Sequence, residues 1–301
     1  MKPHVPAQRT NDRMATREIA IAKHVYLALA FVALLSAPTR SRATELKEQT
    51  LTAWDGYIGS ACLRADVSAK QSPFLRISEL SERRLRVHAG ETLVWRESEV
   101  HPATVPHGLV HRWMGAVFIP KATIADVLGV TRDYDRYPEI YKPAVIEANK
   151  IGTAENDDRF SMLLMQKVLF VTAAVKGEYE TRYVQVDAKR WYSISQSTRL
   201  QAIESFGQPD MRVLPPDQGP GYVWRLYTFT KFEQSDGGVY IEVEALGLSR
   251  NVPTLVRWLV DPIVEHLPRN SVYATLEETR DAVLARITRE DRSPGVAASL
   301  R

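Results

Sequence analysis

A strand pair running straight into a long helix constrains this chain more than any other stretch. Residues 221–232 read Gly-Tyr-Val-Trp-Arg-Leu-Tyr-Thr-Phe-Thr-Lys-Phe, and residues 239–248 read Val-Tyr-Ile-Glu-Val-Glu-Ala-Leu-Gly-Leu. Between them Gln-Ser-Asp-Gly-Gly supplies the residues that tolerate the positive φ angles of a tight hairpin turn. From Pro253 the period changes from two to that of a helix, which carries on to Ile287. A sheet facing a helix leaves apolar space between the two, and this space is the feature most open to function.

Alternation sorts the hairpin into two faces whether Asp-Gly or Gly-Gly forms its turn. Trp224, Leu226, Thr228, Thr230 and Phe232 share one face with Val239, Ile241, Val243, Ala245 and Gly247. This face is apolar apart from two threonines, and it is expected to look toward the helix. Arg225, Tyr227, Phe229 and Lys231 share the other with Tyr240, Glu242, Glu244 and Leu246. Charged pairs seldom go inside, so the second face is expected in solvent. A sharper alternative turns Arg225 with Glu242 or Glu244 inward, as a polar anchor for a ligand head.

Residues 13–43 read as an export leader. Arg13, Arg17 and Lys23 precede an apolar run from Val25 to Leu35, and Ser41-Arg42-Ala43 offers a small-x-small cleavage site. At 11 residues the run is too short to cross a bilayer comfortably. Cleavage near Ala43 would deliver the chain to the periplasm or the exterior; an uncleaved anchor is the alternative. The leader holds seven of the 39 Lys/Arg and two of the 36 Asp/Glu, so the remaining chain is close to neutral. Nucleic acid is therefore not an expected partner, since it requires a concentrated basic face. Cys62 is the single cysteine, which excludes an intramolecular disulfide and suits a small buried hydrophobe.

From residue 44 to about 65 the spacing predicts a helix with Leu46, Leu51, Trp54, Tyr57, Ile58 and Ala61 on one face. Residues 74–77, 85–88 and 92–95 read as short strands, and 101–107 as a proline-broken connector. Leu109 to Ile119 is a strand with Trp113 on the face of Gly115 and Val117. A helix follows Pro120, then a short helical stretch from Asp133 to Tyr141, then strands near 144–152, 158–168, 170–185 and 190–200. Residues 206–219 form a loop. In the final helix Pro262 and Pro268 are expected to break or kink the chain. A cap at Asn270 or Ser271 then starts a stripe of Val272, Leu276, Val283 and Ile287. The tail after Arg289 reads as disordered.

This order, with Asp133-Tyr-Asp-Arg-Tyr-Pro138, Gly-Gly-Val-Tyr-Ile-Glu at 237–242 and Leu-Ser-Arg at 248–250, resembles the START-like (SRPBCC) superfamily over residues 108–288. The resemblance covers the helix-grip fold shared by birch-pollen-allergen-like proteins and the polyketide cyclase/coenzyme Q-binding branch. It implies an α+β architecture, a curved antiparallel sheet wrapped around the C-terminal helix. The superfamily holds lipid carriers, ligand-binding proteins and a few enzymes, so the activity must be argued from the site. Residues 44–105 form an extension beyond the simplest members.

The sheet residues expected to line a ligand cavity are Trp113, Trp224, Leu226, Thr228, Ile241 and Val243. The helix is expected to add Val272 and Leu276. Tyr134 or Tyr137 is a candidate at the cavity mouth, set against packing with its hydroxyl satisfied, the reading that tyrosine statistics favour. His101, His107 and His111 have no acidic companion nearby, so no metal is expected. No hydrolase motif and no phosphate loop is present, and no cofactor is expected. The chain is thus read as an exported carrier of a hydrophobic or amphipathic small molecule, a lipid above all, with transient membrane contact as a further partner expectation. Two alternatives stand beside it: a polyketide cyclase-like enzyme using Arg225, Glu242 or a tyrosine as acid/base, and a protein-interaction module.

Overall fold

A computed structural model describes residues 44–96, 102–154, 157–168, 171–251 and 254–292. The expectations on the leader, on His101 and on the tail beyond Arg292 fall outside these residues.

The hairpin closes on Asp236-Gly237, both at positive φ, with Ser235 opposite Gly238. Its strands are β11 (Arg225–Ser235) and β12 (Gly238–Arg250). Thr228 faces Ala245 and Thr230 faces Val243, the face assignment that alternation requires. Strand β12 pairs on its other side with β4 (Gly108–Pro120). Strand β11 continues through β8 (Arg190–Glu204), β7 (Val171–Gln185), β6 (Asp157–Val168) and β5 (Val145–Ala154). Every pairing is antiparallel, so the first long strand lies beside the last and the sheet stays open at β5. Short strands β2 (Leu93–Trp95) and β3 (Ala103–Val105) extend it at β4. The expected 206–219 loop carries two more two-residue strands, β9 (Arg212–Val213) beside β8 and β10 (Gln218–Gly219) beside β1 (Thr44–Glu45).

Helix α3 (Ile124–Thr131) follows β4 with a capping box between Thr123 and Asp126. A 3-10 turn at Tyr134–Arg136 leads into the short helix α4 (Tyr137–Ile140), with Pro138 in its first turn. Asp135 does not cap it; its carboxylate accepts from the Lys150 N–H at 2.8 Å. The long helix α5 (Thr254–Arg292) crosses the sheet over β4. It runs unbroken through Pro262 and Pro268, contrary to the expected break, and so no cap forms at Asn270 or Ser271. A proline inside a helix costs about 3 kcal/mol, which the packed stripe beyond it can offset.

That stripe is as the spacing predicts. Leu276 and Val283 are buried against Val117, Ile119, Val127, Phe232, Val239 and Ile241, with Val272 and Ile287 partly buried beside them. An added Cβ at Gly115 would stand 2.7 Å from Leu276 Cδ1 and Val272 Cγ1, so glycine is what lets α5 lie this close to β4.

The opposite face of the same strands is covered too, which overturns the solvent-face expectation for the charged side of the hairpin. Helix α1 (Glu48–Ala69) lays Trp54 and Ala61 on Tyr227, Phe229, Leu246 and Leu248. Cys62 is half-buried there with Sγ 3.3 Å from the Tyr227 hydroxyl. Next to it the segment from Phe74 to Leu93 packs on Ala116, Phe118 and Tyr240. Two of the strands expected in that segment are helical instead: a 3-10 turn at Arg76–Glu79 and helix α2 (Ser81–His88). Arg83, Arg84, Leu85 and Arg86 are good helix formers, and four residues are too few to separate a period of two from one of 3.6. Leu85 is consequently 68% exposed while Val87 is fully buried.

Candidate functional site

The face toward α5 is closed at one end and open at the other. Where α3 and α5 meet the sheet, Phe232, Val239, Ile241 and Val117 are buried. Further along β11 and β12 the same face carries Leu226, Thr228, Thr230, Val243 and Ala245, all only half-buried. Strand pairing carries this floor outward. Ser195 lies opposite Thr228, Ser193 opposite Thr230, and Thr181 opposite Ser195, so hydroxyls cross three strands in adjacent rows. The Thr181 hydroxyl donates to Ser195 Oγ at 2.7 Å. No charged side chain interrupts these rows between β7 and β4; the Thr228 row ends outward at Asp158 on β6, opposite Thr181, and the Thr230 row at Tyr183 on β7.

Asp158 is fully buried and its carboxylate is used up by the protein. Arg132 donates to it through Nε at 2.8 Å and a terminal nitrogen at 3.0 Å. The Tyr134 and Thr153 hydroxyls donate as well, at 3.1 and 3.0 Å. The carboxylate bonds and charge of Asp158 raise the Arg132 pKa. Burial pushes the Tyr134 phenol well above its usual range, with Tyr183 and Asp158 adding to the shift, so it stays a neutral donor. Around this centre the rings of Tyr134 and Phe160 stack at 4.1 Å, and Phe160 and Tyr179 at 5.3 Å.

Of the sheet residues expected at a cavity, Leu226, Thr228 and Val243 stand on the half-buried floor, and Ile241 lies in the closed end. Trp113 is buried, opposite Ala245 on the α5 side, with Arg96 over its ring at 5.2 Å. Val272 and Leu276 reach the sheet at Gly115, next to Val243. Trp224 does not belong to this face. The regular strand begins only at Arg225, so alternation does not extend back to it, and its ring packs with Leu46 and Trp54 on the α1 side.

The polar anchors lie elsewhere as well. Arg225 pairs with Asp217 at 2.6 Å, fastening the 206–219 loop, and approaches neither hairpin glutamate. Glu244 pairs with Arg112 across β12 and β4 at 2.6 Å. Glu242 accepts the backbone N–H groups of Arg76 and Ile77 at 3.0 and 2.9 Å, beneath the N-terminal segment. Tyr137 donates to the Thr131 carbonyl at 2.6 Å and packs edge-on against Tyr141, so it is satisfied internally. Sequence reasoning missed Asp158, Tyr179 and the serine row. The row was legible, since Ser193, Ser195 and Ser197 alternate along one strand. Asp158 begins the strand expected near 158–168, and nothing local marks its carboxylate as buried.

A scan against protein-family models and a search of curated proteins find no match. Among solved structures, the chain is similar to a STAR-related lipid transfer protein from Xanthomonas axonopodis, at 16% identity and TM-score 0.41 over 64% of this chain and 98% of that one. Human StAR-related lipid transfer protein 5 follows at 10% identity and TM-score 0.39, over 76% and 99% of the two chains. The Zhui aromatase/cyclase from a Streptomyces species matches at 12% identity and TM-score 0.39, over 62% and 98%. At such scores the reading of the site rests on this chain's own geometry. By its strand order and its crossing helix the chain has an α+β helix-grip fold, with a large open antiparallel sheet.

Proposed function

We propose that this protein is an exported carrier that holds an amphipathic small molecule, a lipid above all, on the half-buried floor between sheet and α5. The observation that carries this reading is the change along one face: apolar and closed at Ile241 and Phe232, half-open and hydroxyl-dotted at Thr228, Thr230 and Ser195. Such a floor suits a molecule with an apolar body and a neutral polar end. Of the acid/base candidates of the enzyme reading, Arg225 and Glu242 do not reach it, and the candidate tyrosine Tyr137 is bound to the Thr131 carbonyl. Transient membrane contact during loading belongs to the same proposal.

Native mass spectrometry of the protein from its own host should show a bound mass that organic extraction removes. Val243→Trp, which fills the floor opposite Thr230, should weaken uptake of that extract by tenfold or more, about 1.4 kcal/mol. A protein that carries nothing and takes up nothing from a mixed-lipid pool would overturn the reading. Export rests on the leader of residues 13–43, and the secreted or periplasmic chain should begin near Thr44 on N-terminal sequencing. Full-length protein confined to the cytoplasm would end that part of the proposal.

A further inference from the structure

Among the described residues, the buried tyrosines sort into those with a hydrogen-bond partner and one without. Tyr134 donates to Asp158, Tyr137 and Tyr183 to the Thr131 carbonyl, and Tyr240 to Asp236. Tyr141 shares a hydrogen bond with Thr279, and Tyr227 with Cys62. Tyr179 is only 4% exposed, yet its hydroxyl has no hydrogen-bond partner. A buried phenol normally finds one, because an unpaired buried hydroxyl is costly.

Its position is held firmly. The ring stacks on Phe160 and lies over Gly177, where an added Cβ would meet the hydroxyl and Cε2 at 2.6 Å. Leu200 closes one side. The rest of its apolar surroundings, Met162, Leu164, Val175 and Leu226, are only partly buried, and Leu226 belongs to the proposed floor. Burial alone raises the pKa of this phenol, without a neighbouring charge, so the group stays a neutral donor.

We propose that the Tyr179 hydroxyl is the hydrogen-bond donor for the uncharged polar end of the bound amphiphile, an alcohol or carbonyl, whose chain runs over Leu226 toward the floor. This inference rests on the carrier reading above. The hydroxyl is shielded from water without a ligand, so the polar end reaches it through rotamer changes in the partly buried side chains around it. The specificity that follows is for a neutral head over none at all.

The test compares wild type with Tyr179→Phe after delipidation, using dodecanol and dodecane as probes in a displacement assay. Dodecanol binding should fall about tenfold in the variant while dodecane binding is unchanged. The unliganded variant should melt no lower than wild type, because the lost hydroxyl had no partner. If wild type binds both probes and the variant matches it, the anchor is wrong and the carrier reading survives. Equal losses for both probes, or a lower melting temperature, would assign the ring a packing role and also overturn the anchor. If wild type binds neither probe, the carrier reading itself fails, and the anchor with it.

Discussion

Glu242→Ala is expected to destabilise the protein by about 3–5 kcal/mol, the cost of leaving two buried N–H donors unsatisfied, at about 1–3 kcal/mol each, beside a buried lysine that loses the carboxylate opposite it. Glu242 is 3% exposed and Lys231, directly opposite on β11, is 2% exposed. The carboxylate accepts the Arg76 and Ile77 N–H groups, and Lys231 Nζ donates to the Phe74 carbonyl at 2.7 Å. Removing Glu242 leaves two buried donors without an acceptor and takes away the charge that balances Lys231. Burial has already lowered the Lys231 pKa, so this group can shed its proton, which limits the loss. Denaturant melts measure the effect. A loss under about 1 kcal/mol would mean that apolar packing alone docks residues 74–93.

The same residue predicts a pH dependence. Burial raises the Glu242 pKa, against the pull of the two backbone donors. A carboxyl raised above its unfolded value contributes stability fully below that unfolded value, and loses it as pH rises through the folded one. Relative to Glu242→Gln, which does not titrate, wild type should therefore gain stability as pH falls from neutral toward the usual carboxylate range. The reverse slope would show that the N–H donors outweigh desolvation.

Asp158→Ala should cost about 3 kcal/mol, because Arg132, Tyr134 and Thr153 all lose their acceptor at once. The Arg132 side chain is 28% exposed and can recover some hydration, which keeps the cost at the lower end of the buried range. The Tyr134 hydroxyl, bound to this carboxylate, holds one end of the stacked Tyr134–Phe160–Tyr179 rings, so the near-ultraviolet circular dichroism of the folded variant should weaken as well. Asp158→Asn keeps the shape and removes the charge. If it melts like wild type, the network is one of fit and not of charge, and the argument fails.

Much of the architecture is local in origin and was therefore legible. Hairpin register follows from one two-residue turn, and every face assignment from Arg225 to Gly247 follows from that register. The α5 stripe through Leu276 and Val283 and the α1 face through Trp54 and Ala61 follow from helical period. The candidate floor at Leu226, Thr228 and Val243 was read in the same way, while Trp224 was misplaced because the regular strand starts one residue after it.

What alternation cannot say is how many of its faces are covered. That depends on apolar surface brought from far along the chain, here from residues 46–93, and it decided that Lys231 and Glu242 lie inside. One clue was present: β4 is apolar at Val110, Met114, Ala116 and Phe118 as well as on its other side, as befits a strand buried on both faces. The partners of Arg225 and Asp158, and the lack of one for Tyr179, were beyond any local reading. The sequence by itself determined periods, turns and faces, because these depend on neighbours within a few residues. Only the tertiary structure decided which polar groups meet, because the low-dielectric interior rewards or penalises each group according to residues distant in the chain.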